Sequence, residues 1–135
     1  YYRGTDPTPI RECLMTSYNG PAKIGKAVCM PGDIVMGTTS GILFIPAYLV
    51  EELINSAEKS HAKDIFGFAM LEQGIYTAAE IDSTVWPEEM VDKMINFIEH
   101  DSSCEKYRGL DWSLEIDAAR GNQEAVDELM KGYLV

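Results

Sequence analysis

Acidic side chains outnumber basic ones 22 to 11, yet few of them fall in patterns that do chemistry. Asp33 follows Pro31-Gly32, a turn in which an Asp carboxylate chiefly caps backbone N–H groups. Asp6, between Thr5 and Pro7, suits an Asx turn, and Arg3 suits either a carboxylate ligand or an ordinary ion pair. Glu51, Glu52 and Glu58 recur along a helical pattern and read as solvated helix acids. His61 and His100 stand far apart, without His or Cys at ligand spacing, and read as surface helix residues rather than metal ligands. Cys13, Cys29 and Cys104 are an odd number with wide spacings, so neither a disulfide framework nor a zinc knuckle follows from them. Small apolar residues in a reducing cytoplasm are the simpler reading. The sequence contains no GxGxxG or Walker loop, no GxSxG elbow, no HExxH and no CxxC.

A net charge of −11 repels polyanions and excludes nucleic acid as a natural partner. Most of that acidity lies on solvated helices in the second half, where it serves solubility. No apolar run reaches the roughly 18 residues a bilayer span requires, and the first residues lack the pattern of a signal peptide. The opening Tyr1-Tyr2-Arg3-Gly4 resembles a strand end, so the 135 residues read as part of a longer protein. At 46% apolar residues the chain can bury a core.

Two blocks must position whatever chemistry there is. The first is rich in strands and turns. Residues 12–18 have strand length, Asn19-Gly20-Pro21 marks a turn, and Gly25 separates short strands at Ala22 to Ile24 and Lys26 to Met30. Residues 33–37 and 41–45 form a hairpin pattern around Thr38-Thr39-Ser40, and the second run is apolar enough to be buried on both faces. Pro46 then suits a helix start. Leu49, Val50, Leu53, Ile54 and Ala57 trace an apolar helix stripe, with Glu51, Glu52, Glu58 and Lys59 on the wetter face. A separate helix is expected over about Lys63 to Glu72, ended by Gly74.

From Thr77 the pattern is helical throughout. Thr77-Ala78-Ala79-Glu80 is a capping-box sequence. Trp86-Pro87-Glu88-Glu89 opens a helix whose stripe is Met90, Val91, Met94, Ile95 and Ile98, and Asp101-Ser102-Ser103 closes it. Tyr107-Arg108-Gly109 reads as a loop. Asp111 and Asn122 read as caps of two further helices, and Trp86 and Trp112 as packing anchors. The organisation expected is a domain over 1–76 and a helical extension over 77–135.

Three ordered motifs carry a resemblance: Asn19-Gly20-Pro21-Ala22-Lys23-Ile24-Gly25, then Val28-Cys29-Met30-Pro31-Gly32-Asp33-Ile34-Val35-Met36-Gly37, then Ser40-Gly41-Ile42-Leu43-Phe44-Ile45-Pro46. Together they resemble the RraA-like family, which includes the regulator of ribonuclease activity and the 4-hydroxy-4-methyl-2-oxoglutarate aldolases; many members carry the label dimethylmenaquinone methyltransferase. Tyr1-Tyr2-Arg3-Gly4-Thr5 resembles the segment just upstream in that family. Asp64-Ile65-Phe66-Gly67 with Glu72-Gln73-Gly74 is similar to a helix and turn after its core. The resemblance covers about residues 1 to 86.

It implies an α/β fold, the β/β/α swivelling-domain arrangement, of which this chain is the C-terminal part followed by an all-helical tail. It also implies a homo-oligomer, a trimer or a multiple of it, with active sites between subunits. The aldolases use Mg²⁺ or Mn²⁺ as a Lewis acid on a 2-oxo acid substrate. The family's Arg-Asp pair, which holds metal and substrate, would lie upstream of Tyr1, so no metal ligand is assigned within this chain and the chain alone would be inactive. Glu58 is the position nearest to an acid that the aldolases contribute to a neighbouring subunit. Thr38 stands where many members carry Asp. The reading that follows is a divalent-metal-dependent aldolase or lyase in the cytoplasm. The alternatives are a non-catalytic protein-binding regulator of the ribonuclease-inhibitor type and an oligomerisation module.

Overall fold

The computed structural model describes residues 17–131. Arg3, Asp6 and Cys13 lie outside the described residues, as does most of the strand expected over 12–18. The protein is a mixed α/β chain of two small antiparallel sheets followed by helices. It divides into two compact units at Leu53/Ile54, whereas the sequence changes character at Thr77.

In the first unit, β1 (Ala22–Ile24) pairs with β2 (Ala27–Cys29), Ile24 lying opposite Ala27. The intervening turn needs the positive φ that Gly25 supplies. The Pro31-Gly32 turn delivers the chain to β3 (Ile34–Thr38), which pairs with β4 (Gly41–Ile45) from Ile34↔Ile45 to Thr38↔Gly41. Thr38 shapes this second turn itself: its hydroxyl accepts from the Ser40 N–H and donates to the Gly41 carbonyl. Paired residues share a face, so one face carries Ile34, Met36, Leu43 and Ile45, and the other Val35, Ile42 and Phe44.

The expected burial of β4 on both faces is not observed. Ile42 is 61% and Leu43 55% exposed, and only Phe44 and Ile45 are half-buried. A two-stranded sheet has no second layer of its own and two open edges, so an apolar pattern written for a sandwiched strand stays uncovered.

Pro46 leads into a single 3₁₀ turn (Ala47–Leu49) and then α1 (Val50–Glu72). Sequence periodicity divides this stretch into two helices; the structure makes it one of 23 residues. Nothing between Ala57 and Lys63 breaks a helix, since Glu, Lys, Ser, His and Ala all propagate it. The faces differ as well. Leu53 and Ile54 are about half exposed, whereas Ala62, Phe66, Gly67 and Met70 form the buried stripe, and Lys59 stands half-buried. The helix ends in a Schellman motif: the Gly74 N–H reaches the Leu71 carbonyl and the Ile75 N–H reaches that of Met70, with Gly74 at φ 66°.

The second unit packs α1 from Ile54 onward with α2 (Ala78–Ile81), α3 (Glu88–His100), a 3₁₀ segment (Ser102–Tyr107), α4 (Ser113–Ala119) and α5 (Gln123–Lys131). The capping box at Thr77 forms in full. Asp101 and Asn122 each accept a backbone N–H two residues on at the start of the elements that follow them. Asp111, expected as a cap, instead accepts the Ser113 N–H from one residue before the cap position, which Trp112 occupies.

The core is Ala62, Phe66, Met70, Trp86, Met90, Val91, Met94, Ile98, Cys104, Tyr107 and Trp112. Full burial of a side chain of the Phe or Met class is worth about 1.5–3 kcal/mol, so α3, which contributes four buried residues, anchors the unit. Phe66 lies at its centre, its ring centroid 5.7 Å from those of Trp86 and Phe97. Tyr107, expected in a loop, is almost wholly buried. Gly67 is placed by contact: a Cβ there would sit 2.7 Å from Cγ2 of Ile81.

Candidate functional site

Two lysines one helical turn apart on α1, Lys59 and Lys63, project from the same face. They meet Glu115 on α4, which is only 6% exposed and the one charged residue in the buried set among the described residues. Lys59 Nζ donates to both carboxylate oxygens, at 3.2 and 3.0 Å. Lys63 Nζ stands 3.8 Å from Oε1. Each lysine also lies against an indole: Lys59 Nζ is 5.3 Å from the Trp112 ring centroid and Lys63 Nζ 5.4 Å from that of Trp86. The two tryptophans are thus packing anchors, as expected, and also walls for the cations. Trp86 satisfies its own N–H on the Ile81 carbonyl at 3.1 Å.

A small cleft of about 10 Å³ opens beside this cluster, lined by Lys63, Thr84, Trp86, Val91, Met94, Glu115 and Leu129. It has about the room of one water. Burial pushes the Lys63 ammonium below its usual range; the Glu115 carboxylate opposes that shift, and the Lys59 charge adds to it.

A second polar group lies where α1 meets the 3₁₀ segment. The Tyr107 hydroxyl shares a hydrogen bond with Nδ1 of His61, and the two rings meet edge-on with centroids 5.6 Å apart. Lys106 Nζ sits 4.5 Å from the Tyr107 ring centroid. Its ammonium is held above the usual range by the Tyr107 hydroxyl first, with the Glu58 charge a smaller contribution.

These groups locate the residues singled out in the sequence. Asp33 accepts the Met30 N–H at 2.7 Å while its own N–H reaches the Met30 carbonyl, so it closes its turn. Glu58 is half-buried near Lys106. Glu51 and Glu52 are exposed in the first turn of α1. His61 is exposed but engaged by Tyr107, and His100 bonds the Asn96 carbonyl within its own helix. Cys104 is fully buried and Cys29 half-buried, both free thiols.

Among the described residues, no three His, Cys, Asp or Glu side chains converge as metal ligands would, so no step through a metal is derived from them. No described helix is long and apolar enough to cross a membrane.

Sequence reasoning missed Glu115 and Tyr107. Glu115 lies in Ser113-Leu114-Glu115-Ile116, where neighbouring apolar residues point to opposite sides. Its burial follows only from the packing of α4 on α1. A signal existed for the lysines: Lys59 and Lys63 are spaced i, i+4, the interval that puts two cations on one acid. Comparison with models of protein families, with curated proteins and with solved structures found no match.

Proposed function

We propose that this chain is part of an RraA-like protein, a divalent-metal-dependent aldolase or related lyase acting on 2-oxo acids in the cytoplasm. The observation that carries the reading is the set of turns in residues 19–46. Asn19 and Gly25 both adopt positive φ, Pro31-Gly32-Asp33 closes on Met30, and the hairpin of β3 and β4 ends at Pro46. The ordered motifs behind the resemblance are thus the places where the backbone turns. The open hairpin adds support, because a sheet with two apolar faces belongs inside a larger layered structure.

In this reading the family's Arg-Asp pair would hold the metal and the substrate's carboxylate, and a bound divalent metal would supply Lewis acidity. Glu58 would serve a neighbouring subunit of a trimer. The test is pyruvate release from 4-hydroxy-4-methyl-2-oxoglutarate by the protein that carries this sequence, with Mg²⁺ or Mn²⁺ and then with a chelator. Chelator-sensitive release supports the lyase. Absence of release with either metal removes it.

The second reading, an assembly module or protein-binding regulator, is favoured by the absence of charge from residues 34 to 45. An uncharged hairpin lacks the charged gatekeepers that keep sheet edges apart. A protein that forms a stable homo-oligomer and releases no pyruvate fits this reading.

A further inference from the structure

The cluster around Glu115 is unbalanced: two half-buried ammonium groups share one buried carboxylate. Lys59 occupies both carboxylate oxygens, and Lys63, at 3.8 Å, is left beyond hydrogen-bond reach of them. Asp111 also acts on this group, but its charge bears on Lys59 and its own carboxylate is held by Ser113. Lys63 therefore faces the cleft of Trp86, Val91, Met94, Thr84 and Leu129 with a charge that its surroundings solvate poorly. The Lys63 side chain as a whole keeps 22% exposure.

We propose that Lys63 is a site of covalent acylation, taking a small activated acyl group such as that of an acyl phosphate onto its amine. The neutral amine attacks the acyl carbon and a C–N bond forms. The bond from that carbon to the phosphate oxygen breaks, and phosphate leaves with the electron pair. The proton shed by nitrogen passes to water. The product suits the site better than the reactant. An amide carries no charge beside the Trp86 indole, and Lys59 and Glu115 remain as a matched pair. Burial already disfavours the protonated amine here, which raises the fraction able to react.

The experiment exposes the whole chain to acetyl phosphate under native conditions and follows acetylation of each lysine over time by peptide mass spectrometry. Lys131 is the internal reference, because it is 72% exposed and its ammonium is held up by Glu128 at 2.7 Å. Lys63 is expected to acquire acetyl at least about threefold faster than Lys131 despite being far less exposed. A Lys63 rate equal to or below that of Lys131 overturns the proposal, and this ranking needs no variant. In Lys59→Met, the carboxylate becomes free to pair with Lys63, and the Lys63 rate should fall to the Lys131 level while helical circular dichroism is kept. An unchanged Lys63 rate in that variant overturns the account of a shared carboxylate.

Discussion

Replacing Glu115 with Ala removes the only carboxylate among the described residues in contact with both Lys59 and Lys63. At an effective dielectric of about 20, a charge pair at 3 Å is attracted by roughly 5–6 kcal/mol and one at 3.8 Å by roughly 4 kcal/mol. Desolvation of the three groups offsets most of that. The loss on truncation is therefore set by the charges left behind, about 3–5 kcal/mol where they are fully buried. Both lysine side chains keep some exposure, 16% and 22%, and can turn toward water. That discounts the figure to about 2–3 kcal/mol. For a helical unit of this size the shift in Tm is roughly 10–20 °C. Far-UV circular dichroism during heating and during urea titration reads it, since the signal is dominated by this unit. A second variant separates charge from packing: Lys59→Met, Lys63→Met and Glu115→Leu together replace the cluster by apolar side chains and should lie within about 1–2 kcal/mol of the parent. A Glu115→Ala protein less than about 0.5 kcal/mol below the parent would refute the reasoning, and the cluster would count as a surface pair.

Other expectations can be checked alongside. Gly67→Ala gains about 1 kcal/mol in helix propensity but puts a methyl 2.7 Å from Cγ2 of Ile81, so urea denaturation should show a net loss of about 1–2 kcal/mol; a more stable variant rejects the close packing. The Glu80 carboxyl is held below the usual range, chiefly by the Thr77 N–H and then by its hydroxyl. A depressed carboxylate contributes stability that is present above its unfolded value and fades as pH falls through the folded one. NMR titration should place Glu80 below an ordinary glutamate, and Thr77→Ala should raise it; no movement removes the hydroxyl's share. Ile42→Lys, at a position 61% exposed, should reduce light scattering by concentrated protein and leave the helical melt unchanged. Scattering that persists would point away from the hairpin.

What the sequence disclosed was local. Turns written in Asn, Gly and Pro fell where those residues stand, because their φ preferences act within two or three bonds. Caps at Thr77 and Asn122 were legible for the same reason, as was the stripe of α3, whose period is unambiguous. Facing was not legible. The stripe Leu49, Leu53, Ile54 is as apolar as that of Ala62, Phe66, Met70, yet only the second is covered. Periodicity says that a face is apolar and not that something lies against it. The candidate site failed to show for a related reason: Lys59 and Lys63 carry no mark of burial, and Glu115 is 52 residues beyond the second of them. Their meeting is a tertiary fact. The resemblance pointed instead to Glu58, which the fold sets near Lys106.

The contact between Gly67 and Ile81 has a consequence beyond stability. The crowded atom is the methyl on the β-branch of Ile81, and leucine carries the same volume without that branch. A chain that acquires a side chain at position 67 can therefore keep its packing if position 81 moves from isoleucine to leucine. Either change alone is penalised in one direction or idle in the other. Across descendants of this sequence the two positions should drift together, as one inherited unit split between two helices.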